Sequence, residues 1–163
     1  MDHLWAPWRL SYVTNTGKST GESCVLCSEC NSSESSSLKL HDGDRCFVIL
    51  NKYPYNNGHL MVVPKRHVAT LSDTLPSELS ELMTLTRTAE RVLSKAYKPD
   101  GLNIGINLGR SAGAGVPGHL HVHVVPRWDA DTNFTTITAE TRIMPKEPRQ
   151  TVERLKPLFQ RFS

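Results

Sequence analysis

The chain has 163 residues and a mass of 18.2 kDa, enough for a domain that buries its own core without disulfide staples. Hydrophobic residues make up 38% and charged residues 21%, which excludes collagen-like, coiled-coil and wholly disordered classes. A formal net charge of +3 suits a small anionic ligand and is too weak to argue for a nucleic-acid groove.

From the N-terminus, Met1-Asp2-His3-Leu4-Trp5 carries no basic segment leading into an apolar one, so no secretory signal is expected. Apolar runs such as Phe47-Val48-Ile49-Leu50 fall far short of the roughly 20 residues of a membrane span. A soluble cytoplasmic protein is expected. Trp5, Trp8, Arg9 and Tyr12 make the first stretch too aromatic for a loose tail, and it is expected to pack on the body or on a partner. Cys24, Cys27 and Cys30 are crowded together, unlike a secreted disulfide framework, and point to metal ligation or redox chemistry. The Ser-rich run 31–37 reads as a mobile loop, so residues 1–44 form an N-terminal segment ahead of a more regular domain, 45–163.

In that domain Cys46–Leu50 and Leu60–Val63 read as strands, joined by a connection whose Pro54 and Asn57-Gly58 are turn signals. Cys46 itself reads as a small buried hydrophobe. Leu79, Leu82, Met83, Thr86, Ala89, Leu93 and Ala96 fall at three- and four-residue steps, which predicts a helix over 76–97 with Pro76 in its first turn. Leu102–Leu108 follows as a strand, 109–118 as a Gly-rich loop, and His119–Pro126 as a further strand. Thr151–Phe162 can close the chain as a helix. Strands, one central helix and strands again imply an α+β fold: an antiparallel sheet of about five strands, one long helix and a C-terminal helix.

His119-Leu120-His121-Val122-His123-Val124-Val125 is the most informative stretch. Alternate side chains of a strand project to opposite faces, so Leu120, Val122 and Val124 point to the core while three imidazoles line the other face. A single strand histidine is ordinarily a satisfied polar group, but three in register make an improbable solvent face. Such a row can bind a metal, bind phosphate, or supply a nucleophile with acid/base partners. The Gly-rich loop before it reads as a flexible turn or, entering a histidine row, as a cradle of backbone N–H groups for phosphate.

That seven-residue run resembles the signature of the histidine-triad (HIT) superfamily of nucleotide hydrolases and transferases. Trp5-Ala6-Pro7-Trp8-Arg9, the stretch from Ile49 to His59, and Val125-Pro126-Arg127-Trp128 are similar to the bacterial branch that includes diadenosine tetraphosphate phosphorylases. The resemblance extends from Trp5 to about Phe134. It implies a homodimer whose two sheets join, a nucleotide substrate, and cleavage of nucleoside polyphosphates at the α-phosphate through a covalent nucleotidyl-histidine. His121 matches the nucleophile, with His119 and His123 completing the triad and His123 hydrogen-bonding phosphate oxygens. Asn51 matches a residue that holds the ribose hydroxyls. Asn107, Gly113 and Gly115 match phosphate-side contacts, His59 matches a histidine close to the catalytic strand, and Trp128 is expected on the substrate side. Cys24 and Cys27 match a zinc-binding Cys-x-x-Cys found in part of the superfamily, whose remaining ligands correspond to His67 and His119. Two thiolates and two imidazoles form a closed, structural zinc site. Free reduced cysteines, or Cys30 in place of one ligand, stand as the other readings of that cluster.

Departures from the branch pattern fall in the Gly-rich loop, where Ala114-Gly115 stands for an expected Gly-Ser and Gly115-Val116-Pro117 for Gln-Ser-Val. Loss of a serine hydroxyl beside the phosphate leaves phosphorolysis against hydrolysis open. Hydrolysis of nucleoside phosphoramidates, or nucleotide binding without turnover, are the alternative functions. No membrane or nucleic-acid partner is expected.

Overall fold

The structure is a computed structural model that describes residues 24–32, 38–129, 131 and 147–162. The expectations for Trp5, Trp8 and the Trp5–Arg9 motif, and for most of the Ser-rich run (33–37), fall outside the described residues.

Five strands form one antiparallel sheet: β1 (Lys39–Asp42), β2 (Cys46–Leu50), β3 (Leu60–Pro64), β4 (Gly101–Ile106) and β5 (Val122–Arg127), in the order β1-β2-β3-β5-β4. Helix α1 (Val25–Asn31) precedes the sheet, α2 (Pro76–Tyr97) links β3 to β4, and α3 (Pro148–Phe162) closes the chain. The α+β architecture with a long and a C-terminal helix is as the sequence implies. Two elements are additional. Lys39–Asp42 is a strand because Leu38 and Leu40 alternate with Lys39 and His41, a signal present but short, and a register shift between Lys39 and His41 interrupts it. Cys27 and Cys30 sit on α1, with Cys24 just before it, a helix too short for periodicity to announce.

Strand alternation divides the apolar side chains between two cores. Val48, Leu50, Leu60, Val62, Val122 and Val124 face α2 and α3, meeting Leu82, Leu85, Val92, Leu155 and Phe159. The alternate residues Phe47, Ile49 and Val63 face the other way and meet Leu26 of α1. A two-sided sheet explains why β2 is buried along its whole length and reads as an unbroken apolar run. Leu120, Val122 and Val124 lie in the helix-side core as the spacing predicts.

The expected strand 119–126 is shorter at its start. Pairing of β3 with β5 covers only Val62↔Val122, Met61↔His123 and Leu60↔Val124. Continued, the ladder would set Leu120 opposite Pro64, which has no N–H to give. The Leu120 N–H goes instead to the Val68 carbonyl at 2.6 Å. His119, at a bend whose N–H bonds the Val116 carbonyl, and His121 therefore sit on the lead-in to β5, and Leu120 between them still packs into the helix-side core.

The 51–59 connection is drawn tight at Gly58, whose φ of 80° lies in the left-handed region. A Cβ there would stand 2.9 Å from Tyr97 Cε2 and 3.4 Å from Leu93 Cδ2. Gly58→Ala is therefore expected to cost about 1–3 kcal/mol, from the left-handed backbone and the overlap together. A urea unfolding midpoint equal to wild type would contradict this assignment.

Candidate active site and metal cluster

The sheet face opposite α2 and α3 carries the imidazoles. His123 pairs across the ladder with Met61 and Gly105, so its side chain shares their face. His119, His121, His123 and His59 are all buried. Their hydrogen bonds fix the tautomers from the backbone outward.

The Tyr55 N–H donates to His59 Nδ1 at 3.0 Å, and a backbone amide can only donate. His59 Nδ1 is thus an acceptor, its proton is on Nε2, and Nε2–H donates to His123 Nδ1 at 2.9 Å. The His123 proton is in turn on Nε2, a buried atom with no partner among the described residues. This chain of imidazoles delivers a hydrogen-bond donor to a position where the described residues supply no acceptor. Asn51 reinforces it: its Oδ1 accepts the Tyr53 N–H at 2.9 Å, turning its amide nitrogen toward His59 Nδ1 at 3.3 Å. Tyr55 packs tilted against both rings, 4.7 Å from His59 and 5.6 Å from His123 between centroids.

His121 is set the other way. Its Nδ1–H donates to the His119 carbonyl at 2.7 Å, which leaves the Nε2 lone pair free. Burial holds the His121 pKa below the ordinary imidazole value, so the ring is neutral at pH 7. Burial, with the neighbouring imidazoles adding to it, pushes His123 down to about 4 and His59 down to about 3. A neutral acceptor nitrogen therefore lies beside a neutral donor nitrogen, with the two rings edge to face at 4.8 Å.

A cavity of about 610 Å³ opens on this pair. Its polar lining includes His121, His123, Asn51, Lys52 and Gly115, and its apolar lining Leu26, Leu38, Ile49 and Met61. Of the other residues expected on the substrate side, His59 contacts His123 from behind. Asn107 lies one residue past β4 in phase with Gly105, and Gly113 holds a left-handed turn with φ of 87°. Neither lines the cavity. Nor does Trp128: it is in phase with Val122, Val124 and Pro126, hence on the helix side of the sheet, where it packs edge-on against Tyr97 at 6.4 Å. Arg127 anchors the turn beyond through a bidentate pair with Asp131, 2.6 and 2.8 Å. The apolar wall from α1 and the packing of Tyr55 on the imidazoles were not anticipated. No local pattern marks a residue whose role depends on which distant segment it meets.

Beside the cavity, Cys24, Cys27, His67 and His119 bring four donor atoms within 4.8 Å of one another. His119 Nδ1 lies 3.3 Å from Cys24 Sγ and 3.5 Å from Cys27 Sγ, and His67 Nδ1 lies 3.3 Å from Cys27 Sγ. A tetrahedral zinc, with bonds of about 2.3 Å to sulfur and 2.0–2.1 Å to nitrogen, has S–N edges of about 3.5 Å. The donor set fits. His119 Nε2–H donates to the Pro64 carbonyl at 2.8 Å, which leaves Nδ1 deprotonated and aimed at the cluster. Cys30 is not part of the group.

Fold and site together define an α+β protein of the histidine-triad type, with an imidazole row at a cavity mouth and a Cys2His2 cluster beside it. The HIT domain family model matches residues 32–130, and the chain belongs to that family. A Mycobacterium tuberculosis protein named AP-4-A phosphorylase is 40% identical over 159 residues, covering 93% of this chain and 80% of the relative. The asymmetrical bis(5'-nucleosyl)-tetraphosphatase of Schizosaccharomyces pombe is 44% identical over 82 residues, 50% of this chain and 44% of the relative. Among solved structures, a Zn-bound histidine triad family protein from Mycobacterium smegmatis superposes with a TM-score of 0.69 at 26% identity, covering 85% of this chain and 94% of its own.

The lowered imidazole pKa values make stability depend on pH. The native state excludes protons from His59 and His123, whereas the unfolded chain binds them near pH 6.5. Stability from this source is present above about pH 6.5 and is lost as pH falls toward 4 for His123 and toward 3 for His59. Each histidine is expected to cost about 1.4 kcal/mol between pH 7.5 and 5.5. Urea unfolding of wild type and His123→Asn at both pH values should show the variant losing less by that amount. Parallel pH dependence would contradict a neutral, proton-excluding His123.

Proposed function

We propose that the protein cleaves nucleoside polyphosphates, dinucleoside polyphosphates in particular, at the α-phosphate through a covalent nucleotidyl-histidine on His121. The observation that carries this reading is the pairing of an unprotonated His121 Nε2 with a buried His123 Nε2–H that has no partner among the described residues, both rings lining one cavity. The names of the mycobacterial and yeast relatives support the substrate class.

In this mechanism His121 Nε2 attacks the α-phosphorus as the bond to the bridging oxygen breaks, and the polyphosphate leaves with that electron pair. The His123 Nε2–H donates to a phosphate oxygen on which charge accumulates, a role that requires the neutral donor tautomer set through His59. Gly115 brings backbone to the same cavity, and Asn51, which also lines it, would hold a ribose hydroxyl. Water or inorganic phosphate then attacks the same phosphorus and releases His121. The absence of a serine from 109–118 apart from Ser111 favours hydrolysis over phosphorolysis.

Cys24, Cys27, His67 and His119 would hold one zinc, a reading that the Zn-bound mycobacterial neighbour supports. With all four positions filled by protein, a bound zinc would cross-link α1 to the strand lead-in and would offer no open position for Lewis-acid chemistry. We also propose a homodimer through the edge of β4, which pairs with no further strand among the described residues and where Ile104 is exposed, and the flank of α2 bearing Leu79 and Met83. Among the described residues no helix is long and apolar enough to cross a membrane. Reduced thiols at the cluster suit a cytoplasmic setting.

The deciding experiment is acid-quench trapping with diadenosine tetraphosphate labelled at the α-phosphates. Acid-labile label should appear on wild type, and His121→Ala should lose both label and turnover by at least about a thousandfold. Full turnover in that variant would discard the mechanism, and the labelled product, AMP or ADP, separates water from phosphate as acceptor. Elemental analysis should return one zinc per chain, abolished in the Cys24→Ser, Cys27→Ser double variant.

A further inference from the structure

We propose that α1 couples the metal to the nucleoside. The helix that carries one metal thiolate and is led by the other is also the apolar wall of the cavity, so zinc and nucleoside bind with positive, reciprocal cooperativity. This rests on the zinc and nucleotide readings given above.

Helix α1 is seven residues long and has no side-chain N-cap, no acid in its first turn and no base in its last. A helix that short does not hold itself together in water, so its order comes from what it touches. Among the described residues it meets the sheet through the following contacts. Leu26 enters the small core of Phe47, Ile49 and Val63, the Lys39 ammonium donates to the Cys30 carbonyl at 2.9 Å, and Cys24 and Cys27 meet the two metal-side imidazoles. The same two turns put Val25, Leu26, Ser28 and Glu29 on the cavity wall. Val25 is 61% exposed there, an apolar side chain in place for a ligand to cover.

The other side of the metal cluster is anchored differently. His119 keeps its Nε2–H bond to Pro64 and its N–H bond to the Val116 carbonyl whatever its Nδ1 does, and Leu120 is locked in the main core. Removing the metal therefore loosens α1 and leaves the imidazole row in place. A nucleoside, whose base packs on α1, should sense that loss. A bare phosphate at the His121–His123 end should not. By linkage, a ligand that orders α1 must tighten zinc by the factor by which zinc tightens the ligand.

The experiment uses the full chain in reducing buffer, with metal content and AMP binding measured first. AMP and inorganic phosphate are then titrated calorimetrically into zinc-loaded and chelator-treated protein. Zinc affinity is measured by competition with a chromophoric chelator, with and without saturating AMP. The AMP dissociation constant should rise at least about tenfold on zinc removal, the zinc dissociation constant should fall by the same factor with AMP, and phosphate should change less than about threefold. If chelation unfolds the chain, the zinc competition, which starts from folded metal-loaded protein, decides alone. AMP affinity or zinc affinity indifferent to the other ligand overturns the coupling. An equal effect on phosphate overturns the role of α1 and moves the metal's influence to His119. A chain that binds no zinc, or no AMP, overturns the underlying reading and the coupling with it.

Discussion

The hydrogen bond from the Tyr55 amide to His59 Nδ1 sets the polarity of everything at the cavity mouth. Neutral imidazoles are ambiguous, since either nitrogen can carry the proton, and a row of them offers no fixed pattern of donors and acceptors. A backbone N–H has no such freedom. By occupying one nitrogen of His59 it forces the proton to the other, and the order passes to His123. The His119 carbonyl does the opposite service for His121, drawing the proton to Nδ1 and leaving Nε2 bare. Two backbone groups, one donor and one acceptor, thereby make two chemically similar side chains into an acceptor and a donor on one wall.

That arrangement needs neutral rings, and burial supplies the condition. Each imidazole lies under the sheet face with little water to solvate a proton, and each neighbouring imidazole makes a second charge less welcome. Packing that stabilises the fold also keeps the nitrogen lone pairs available at neutral pH. The opposite face of β5 shows the other half of the same economy. Val122 and Val124 lock the strand into the helix-side core, so the imidazoles are carried on a rigid element.

The ion pair of Arg66 with Glu78 extends this logic to the metal cluster. Glu78 is buried at the start of α2, accepts two bonds from Arg66 at 2.9 and 2.8 Å, and also accepts the Leu75 N–H at 2.8 Å. The guanidinium holds its carboxyl down to about 2. Arg66 precedes His67, so the pair ties a metal-side imidazole to the long helix, while Pro64 fixes His119 from the other side. The cluster is thus braced by groups that are not themselves donors to a metal.

The residues of β2, β3, α2 and the imidazole row were legible in the sequence because their periodicities are long or strict. A 22-residue amphipathic helix and a His-apolar alternation each repeat a physical preference often enough to stand out. The alternation alone determined that Leu120, Val122 and Val124 would be core and that three histidines would share a face. Only the tertiary structure decided where that face leads. Which ring nitrogen is free depends on a carbonyl two residues back and on an amide 68 residues earlier in the chain. The cavity wall comes from a helix too short to announce itself, and Trp128 falls on the helix side because it keeps phase with Val124. Sequence periodicity records which way a side chain points relative to its own backbone. What it points at is set by packing between segments far apart in the chain, and no local pattern encodes that.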